Sequence, residues 1–497
     1  MSYASFVTKL PSVAGPKTHL NFKKRLMWTG LILLLFLVMG QIMIYGISPE
    51  AVSQLGFLEL ILGSSMGSIM TLGIGPIVTA SIILQLLSGS GLLPFDMHSQ
   101  EGQATFQGTQ KLLAIAFCVF EAIAFVSMGA LRPASPELLP LVILQITIGG
   151  IIVLFMDEVV SKWGIGSGIS IFIAANVSKS IFIGALNPLI PAGGSIAAGA
   201  IPAAIGYLQI GDIAASVTRL LPLLATVLVF FIVVYAQDLK VEIPLAFGTI
   251  RGFSRRWPLK FIYTSNLPVI LAAALIANLQ LVGRAIPALA TYDANGALTG
   301  GLLFFFSVPS SLSIQVFSLV ALIVVFAIGF SAFYFKLKRS FLITMLSPII
   351  GISLGVLATA MIPSVGLPLG IDLLRMILYL GFFITLCTVF SIFWVSTAGM
   401  DARSVAGQIE NVGLQIPGFR RDPRIVESVL NRYIPVLAVL GGVFVGLLAA
   451  VADFTNAIGT GTGILLTVMI VYQLYEQISR QYMEDMNPAI RKFFGGS

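Results

Sequence analysis

Reactive side chains are scarce in this chain, and where they fall excludes most chemistry. Glu121 is the only acid well inside a long apolar run. A carboxylate in such a run is costly and is usually functional. His19 and His98 lie in polar connections. There is no His-Glu-x-x-His pattern and no pair of in-run aspartates, so neither a metal-hydrolase site nor an intramembrane catalytic pair is expected. Cys118 and Cys387 sit in separate apolar runs and read as small buried hydrophobes. The Gly459–Gly463 stretch, GTGTG, lacks the Lys-Ser/Thr of a phosphate-binding loop. Asn176-Val177-Ser178 is a sequon inside an apolar run and should carry no glycan. No catalytic residue, metal ligand, nucleotide site or cofactor is expected.

The elements that hold these residues are membrane spans. Of 497 residues, 57% are hydrophobic and 10% are charged, with a net charge of +7. A soluble chain would carry roughly a quarter charged residues. We expect an all-α polytopic membrane protein with spans at 26–45, 71–88, 112–130, 138–156, 168–187, 219–236, 262–282, 315–335, 341–362, 373–395, 433–452 and 461–479. The first run, Leu26–Tyr45, has the length of a span, longer than a signal-peptide core. Lys9, Lys17, Lys23, Lys24 and Arg25 place the N-terminus in the cytosol by the positive-inside rule. An even number of spans then returns the C-terminus to the same side. All but five of the 28 Lys and Arg fall inside, the exceptions being Arg132, Lys179, Arg219, Arg284 and Arg375. Leu189–Ile210 is apolar but rich in Gly, Pro and Ala. As a span it would invert every later loop, so it is expected to be an outer loop, partly re-entrant.

The most informative stretch is Thr71–Gln85, TLGIGPIVTASIILQ, which opens with Gly73, Gly75 and Pro76. Helix interiors avoid that cluster. Before it, Gln54–Met70 is apolar but too short to cross. Irregular backbone at membrane depth is tolerated where it lines a cavity or is covered by protein. The pair reads as the wall of a pore or binding cavity with a small plug-like element in front. Glycine pairs also open spans at Gly73–Pro76, Gly164–Gly168 and Gly459–Gly463. If the first five spans form one unit, the next begins on the opposite side of the membrane, the arrangement of inverted repeats. The expected organisation is an N-terminal half, 1–187, with the plug at about 55–67, and an outer loop, 188–218. A C-terminal half, 219–479, follows with an inserted hairpin, 315–362, and then a cytosolic tail, 480–497. Two long basic cytosolic loops, Gln237–Phe261 and Thr397–Arg432, are either topology anchors or a docking site for an anionic partner. A secondary transporter is the alternative class, since it too uses broken helices. It would need several in-span charges, and Glu121 is nearly alone.

The chain resembles the SecY family, central subunits of the Sec protein-conducting channel, in its archaeal form and equivalent to the alpha subunit of the eukaryotic Sec translocon. The residues that carry this are FKKRLMWTG at 22–30, LGIGPIVTASIILQLL at 72–87, FQGTQKLL at 106–113 and DEVVSKWGIGSGISIFIAANVS at 157–178. They continue with VEIPLAFG at 241–248, LKFIYTSNLPVILAAALIANLQL at 259–281, GFR at 418–420, NRYIP at 431–435 and ADFTNAIGTGTGILLTVMIVYQLYEQ at 452–477. The hairpin within 284–372 departs from the family's ten-span pattern. Thr249 stands where relatives often have a basic residue.

The resemblance implies two inverted five-span repeats around an hourglass pore. It places a pore ring at Ile74, Val78, Ile169, Ile173, Ile270 and Leu466. The 74/78 and 169/173 pairs have the i, i+4 spacing of one helix face. It places the plug at Phe57, Leu58, Leu60, Ile61, Leu62 and Ser64. A lateral gate is implied between the second and third spans and the seventh and tenth, with polar residues Thr79, Gln85, Glu121 and Asn278. Helix–helix hydrogen bonding alone is the other reading of those residues. Arg420, Arg421, Arg251, Arg255, Arg256 and Lys260 would dock a partner. The implied partners are the ribosome, signal peptides and nascent chains, and small single-span subunits of the SecE/gamma and beta/SecG types in a heterotrimer. The expected location is the plasma membrane, with the endoplasmic reticulum as the alternative.

Overall fold

The computed structural model of the chain describes residues 10–18, 20–47, 64–89, 92–93, 95, 99–127, 131–190, 195–247, 254–283, 286, 288–292, 298–309, 311–334, 340–361, 370–411, 414–415 and 423–485. Each of the twelve expected spans carries a helix. The first is α1 (Phe22–Met39), with Lys23, Lys24 and Arg25 in its first turn. It stops short of the expected Tyr45, because the chain turns back after Gly40. Ile69 N donates to Ile42 O and Ile44 N donates to Gly67 O, both at 2.9 Å. Next, α2 (Gly75–Gly89) begins later than Thr71. Gly73 has φ +52°, which breaks helical continuation. Pro76 falls in the first turn, where its missing N–H leaves no carbonyl unpaired.

The N-terminal half continues with α3 (Gln100–Ser127), α4 (Leu139–Trp163) and α5 (Gly168–Leu186). The apolar outer segment forms α6 (Ala200–Ile210), and α7 (Ile213–Gln237) follows. Eleven residues of helix rise about 16 Å, half the hydrocarbon thickness, so α6 does not cross. It leans on α7, where Ser216 Oγ donates to Ala204 O at 2.9 Å. The C-terminal half holds α8 (Leu267–Gly283), α9 (Leu312–Tyr334), α10 (Ser340–Met361) and α11 (Gly370–Thr397). It ends with α12 (Ala402–Asn411), α13 (Pro423–Phe454) and α14 (Gly461–Asp485). Among the described residues, six helices are long and apolar enough to cross a bilayer: α3, α4, α5, α7, α11 and α13. Both α2 and α8 are apolar but shorter, at 15 and 17 residues. Each starts from buried irregular backbone rather than from the membrane surface.

Helix pairs close through small residues, as expected where lipid removes the hydrophobic drive between helices. Gly442 and Gly446 of α13 lie so close to α11 that a Cβ at either would come 3.0 Å from a backbone Cα, of Thr388 or Ile384. The same spacing, Gly351 and Gly355, brings α10 against α9. This hairpin attaches through α9 to α7 and α13.

Strands appear where helix was the only regular structure expected. In the first basic loop, β1 (Lys240–Phe247) pairs antiparallel with β2 (Ser254–Lys260). Apolar Val241 and Ile243 alternate with charged Lys240 and Glu242, the period of a strand. A second short pair, β3 (Thr291–Tyr292) with β4 (Leu298–Gly300), follows α8. In the second basic loop, β5 (Leu414–Gln415) adds to the edge of β1. An apolar cluster of Leu259, Tyr263, Val405, Ile409, Leu430 and Ile434 anchors this sheet to α12 and α13.

The tightest backbone approach involves Gly149 of α4, where an added Cβ would lie 1.8 Å from Ile69 O. Gly149→Ala should therefore push the 64–70 segment off α4 and destabilise the protein by about 1–3 kcal/mol. Thermal unfolding of the purified protein in detergent checks this. An unchanged midpoint would refute it.

Candidate transmembrane pore

Four structural elements bring the expected ring residues together. Ile74 lies in the turn before α2, Val78 on α2, Ile169 and Ile173 on α5, Ile270 on α8 and Leu466 on α14. Five are buried members of one apolar cluster, and Ile169 packs at its edge half-buried. The elements touch in sequence around the site: α2 packs on α8, α8 on α14, and α14 on α5. Such a group offers no hydrogen-bonding partner to anything that meets it.

Of the expected plug residues, Ser64 is described. Phe57, Leu58, Leu60, Ile61 and Leu62 lie outside the described residues. Ser64 is buried, and its carbonyl accepts a hydrogen bond from Asn176 Nδ2 of α5 at 3.2 Å. The described residues before 48 and after 63 meet at a neck. An antiparallel bridge pairs Met43 with Ser68, and another pairs Ile47 with Pro133. Beside the neck, Ser68 Oγ donates to Ser65 O at 2.6 Å, and Thr71 Oγ1 donates to Ser68 O at 2.6 Å. These side-chain bonds satisfy irregular backbone that has no water to turn to. Sequence reasoning treated Asn176 only as a sequon. Its contact with residue 64 crosses 112 positions and has no local signal.

Three of the four expected gate residues meet on facing helices. Thr79 Oγ1 of α2 accepts from Asn278 Nδ2 of α8 at 2.9 Å. Its single proton is shared between Glu121 Oε1 of α3, at 2.8 Å, and the Gly75 carbonyl, at 2.9 Å. Thr79 thus joins α2, α3 and α8. Gln85 is not part of this group. It lies further along α2, and its amide donates to Ser81 Oγ of the same helix at 3.1 Å. Its buried Oε1 has no protein partner among the described residues. The seam that α2 makes runs along both α8 and α11.

Two acids, Asp453 buried and Asp157 half-buried, escaped the sequence reading because both sit at the ends of apolar runs. Asp157 Oδ1 of α4 accepts from Ile169 N at 3.0 Å. Asp453 of α13 accepts from Thr462 N at 2.7 Å and Tyr379 OH at 2.9 Å, and also from Thr462 Oγ1. The signal that could have found them is their place, 12 and 9 residues before backbone they cap, just ahead of a glycine pair.

On the face bearing the basic loops, the three-stranded sheet has the order β2-β1-β5. Phe247 pairs antiparallel with Leu414 and Ala246 with Gln415, so strands from both basic loops share one sheet. Arg255 and Arg256 lie on β2, opposite Leu245 and Pro244. Arg251, Arg420 and Arg421 lie outside the described residues. Lys260 is already engaged: its Nζ is 2.5 Å from Glu476 Oε2 and lies over the Tyr472 ring.

Two family profiles match this chain, one described as SecY over residues 68–475 and one as the plug domain of Sec61p over residues 34–67. Protein translocase subunit SecY of Methanothermobacter thermautotrophicus is 42% identical over 496 residues, covering 98% of this chain and 97% of that one. A solved structure described as a protein-conducting channel matches with a TM-score of 0.78 and 39% identity, over 98% of both chains. Sec61 in the canine ribosome-channel complex from the endoplasmic reticulum matches with a TM-score of 0.75 and 39% identity, again over 98% of both chains.

Thr79→Val keeps the shape but removes the hydroxyl, leaving the Glu121 carboxylate and the Asn278 amide without it. The expected loss is about 1–3 kcal/mol of stability, while Thr79→Ser stays close to the parent. Unfolding midpoints of the two variants in detergent check this. Equal midpoints would refute it.

Proposed function

The chain belongs to the SecY family and is the channel-forming subunit of a protein translocase, and we propose that its pore is closed at mid-membrane by Ile74, Val78, Ile169, Ile173, Ile270 and Leu466. A path for unfolded polypeptide must pass any sequence yet leak neither ions nor protons. A narrow aliphatic ring meets both demands. It dewets when empty, and it makes no sequence-specific bond to a chain passing through. The observation that carries this reading is that four separate elements bring these side chains to one apolar cluster, five of them buried in it and Ile169 packed half-buried at its edge. The secondary-transporter alternative is set aside, since the matched relatives are translocase subunits and protein-conducting channels.

In this reading the segment at about 55–67 is the plug on the outer side of the ring, next in sequence to Ser68, which pairs with Met43. The lateral gate is the seam between α2 and α3 on one side and α8 and α11 on the other. Apolar segments of the passing chain leave for lipid there. Thr79, Glu121 and Asn278 latch it shut. The halves 1–187 and 219–479 act as inverted repeats, with 188–218 as the outer loop, 315–362 as an insertion and 480–497 as a cytosolic tail. The protein is multi-pass, and the plasma membrane is the membrane we assign, with both termini cytosolic. In this reading the driving energy comes from a partner such as the translating ribosome. Arg251, Arg255, Arg256, Arg420 and Arg421 form the docking face, supported by the sheet that joins the bases of both basic loops. Small single-span subunits of the SecE/gamma and beta/SecG types complete the complex. Two largely apolar grooves suit a single helix: one between α1 and α5, lined by Leu33, Leu37 and Ile171, and one between α7 and α14, lined by Phe230, Val234 and Val471.

A stalled secretory chain should crosslink to cysteines placed at Ile74 and Ile270, but not to one at Leu144, which is exposed on α4. Crosslinks at Leu144 alone would overturn the ring assignment. Arg420→Glu should weaken ribosome binding about tenfold, or ~1.4 kcal/mol, without lowering the unfolding midpoint. Sedimentation with ribosomes measures this, and parental binding would refute it.

A further inference from the structure

Asp157 and Asp453 have no part in the ring, the plug or the gate as described so far, yet they are the centres of one device built twice. At each place a glycine in the left-handed region, Gly166 with φ +81° or Gly459 with φ +82°, stands two residues before a second glycine. That second glycine, Gly168 or Gly461, opens a helix. It lies against the backbone of the acid-bearing helix. A Cβ on Gly168 would come 2.6 Å from Asp157 Cα, and one on Gly461 would come 2.3 Å from Asp453 N. The acid then accepts the N–H of the next residue, Ile169 N at 3.0 Å or Thr462 N at 2.7 Å. Five residues beyond each opening glycine stands a ring residue, Ile173 on α5 and Leu466 on α14.

We propose that Asp157 and Asp453 are positioning residues of the channel, each setting the depth and rotation of the helix that carries a ring side chain. The proposal rests on the ring reading above. A carboxylate at a helix N-terminus meets unpaired N–H groups and the positive end of the helix dipole. It therefore fixes which residue begins the helix. The leverage is large, because slipping the start by one residue turns every later side chain by about 100° and shifts it about 1.5 Å. Ile173 or Leu466 would swing off the axis. The opening glycine admits the close approach, and the left-handed glycine before it turns the chain into the helix. Asp453 does more than Asp157, because Tyr379 of α11 also donates to it at 2.9 Å. It thereby locks α11, α13 and α14 to one point. Asp157 instead bonds along the chain, from α4 to α5.

The test uses the assembled channel complex in phospholipid vesicles loaded with a halide-quenched dye, with resting chloride permeability normalised to assembled channels. Asp157→Ala and Asp453→Ala should each raise the leak about tenfold, equivalent to ~1.4 kcal/mol in the closed-to-open balance. Asp157→Asn and Asp453→Asn should restore the seal, because an amide oxygen still accepts the N–H of Ile169 or Thr462. Leucine, close to aspartate in size but with no acceptor, replaces alanine at a site where alanine prevents assembly, with the same expectation. Ser216→Ala, which breaks the buried bond between α6 and α7, controls for general loosening. Tight alanine variants would overturn the proposal. So would an equal leak from Ser216→Ala at a matched loss of unfolding midpoint. Ile173→Gly and Leu466→Gly should leak as well. If they leak while the acid variants stay sealed, positioning alone fails. If they too stay sealed, the ring reading fails and the proposal falls with it.

Discussion

Inside a bilayer every backbone N–H and C=O must find a partner within the protein, and this structure is arranged around a long stretch where helix alone does not provide it. Between Ser64 and Gly75 the chain is irregular and buried. It survives there because it is wrapped on all sides. Residues 42–44 pair with it edge to edge, and Gly149 allows α4 to reach the Ile69 carbonyl. Asn176 takes the carbonyl of Ser64, and Ser68 and Thr71 bond within the segment. A hydrophobic slab of solvent thus forces the tightest part of the fold onto its least regular stretch. That stretch ends in Ile74 and runs straight into α2.

From there α2 acts as the hub. It is short, starts in the middle of the molecule and touches α3, α8 and α11. Its contacts are of two kinds. Ile74 and Val78 meet other helices through aliphatic surface alone, which is weakly directional. Thr79 meets them through two directional hydrogen bonds to side chains. An element held this way can separate from its neighbours along a seam without leaving many buried groups unpaired. That is the mechanical property a gated channel requires.

The surfaces away from the membrane are built by different means. The sheet joining β1, β2 and β5 is small, and its stability comes from the apolar cluster beneath it on α12 and α13. Its function is geometric, because it brings strands of two basic loops, far apart in sequence, into one sheet. Lys260 shows that a basic residue in such a loop need not face a partner. Its charge is spent internally on Glu476 and the Tyr472 ring.

The architecture was legible in the sequence wherever a pattern is local. The apolar runs, the basic loops and the glycine-proline break before α2 follow from the solvent properties of lipid and from backbone stereochemistry. They specified the twelve segments that carry the spanning helices, the broken wall, and that 189–210 does not cross, though not that part of it is the helix α6 or that α12 forms in the second basic loop. The i, i+4 pairs at 74/78 and 169/173 were legible for the same reason. Nothing local marked the strand pairing of the basic loops, the bond from Asn176 to Ser64, or the separation of Gln85 from Thr79. Nor did sequence reveal that Asp157 and Asp453 perform the same task, since each acid lies at the end of an apolar run and its partner is the first turn of the following helix. Those facts depend on which helix faces which, and at what depth. Only packing of the whole chain decides that, because the hydrogen bonds and side-chain contacts form between surfaces on different elements, from about ten to more than a hundred positions apart.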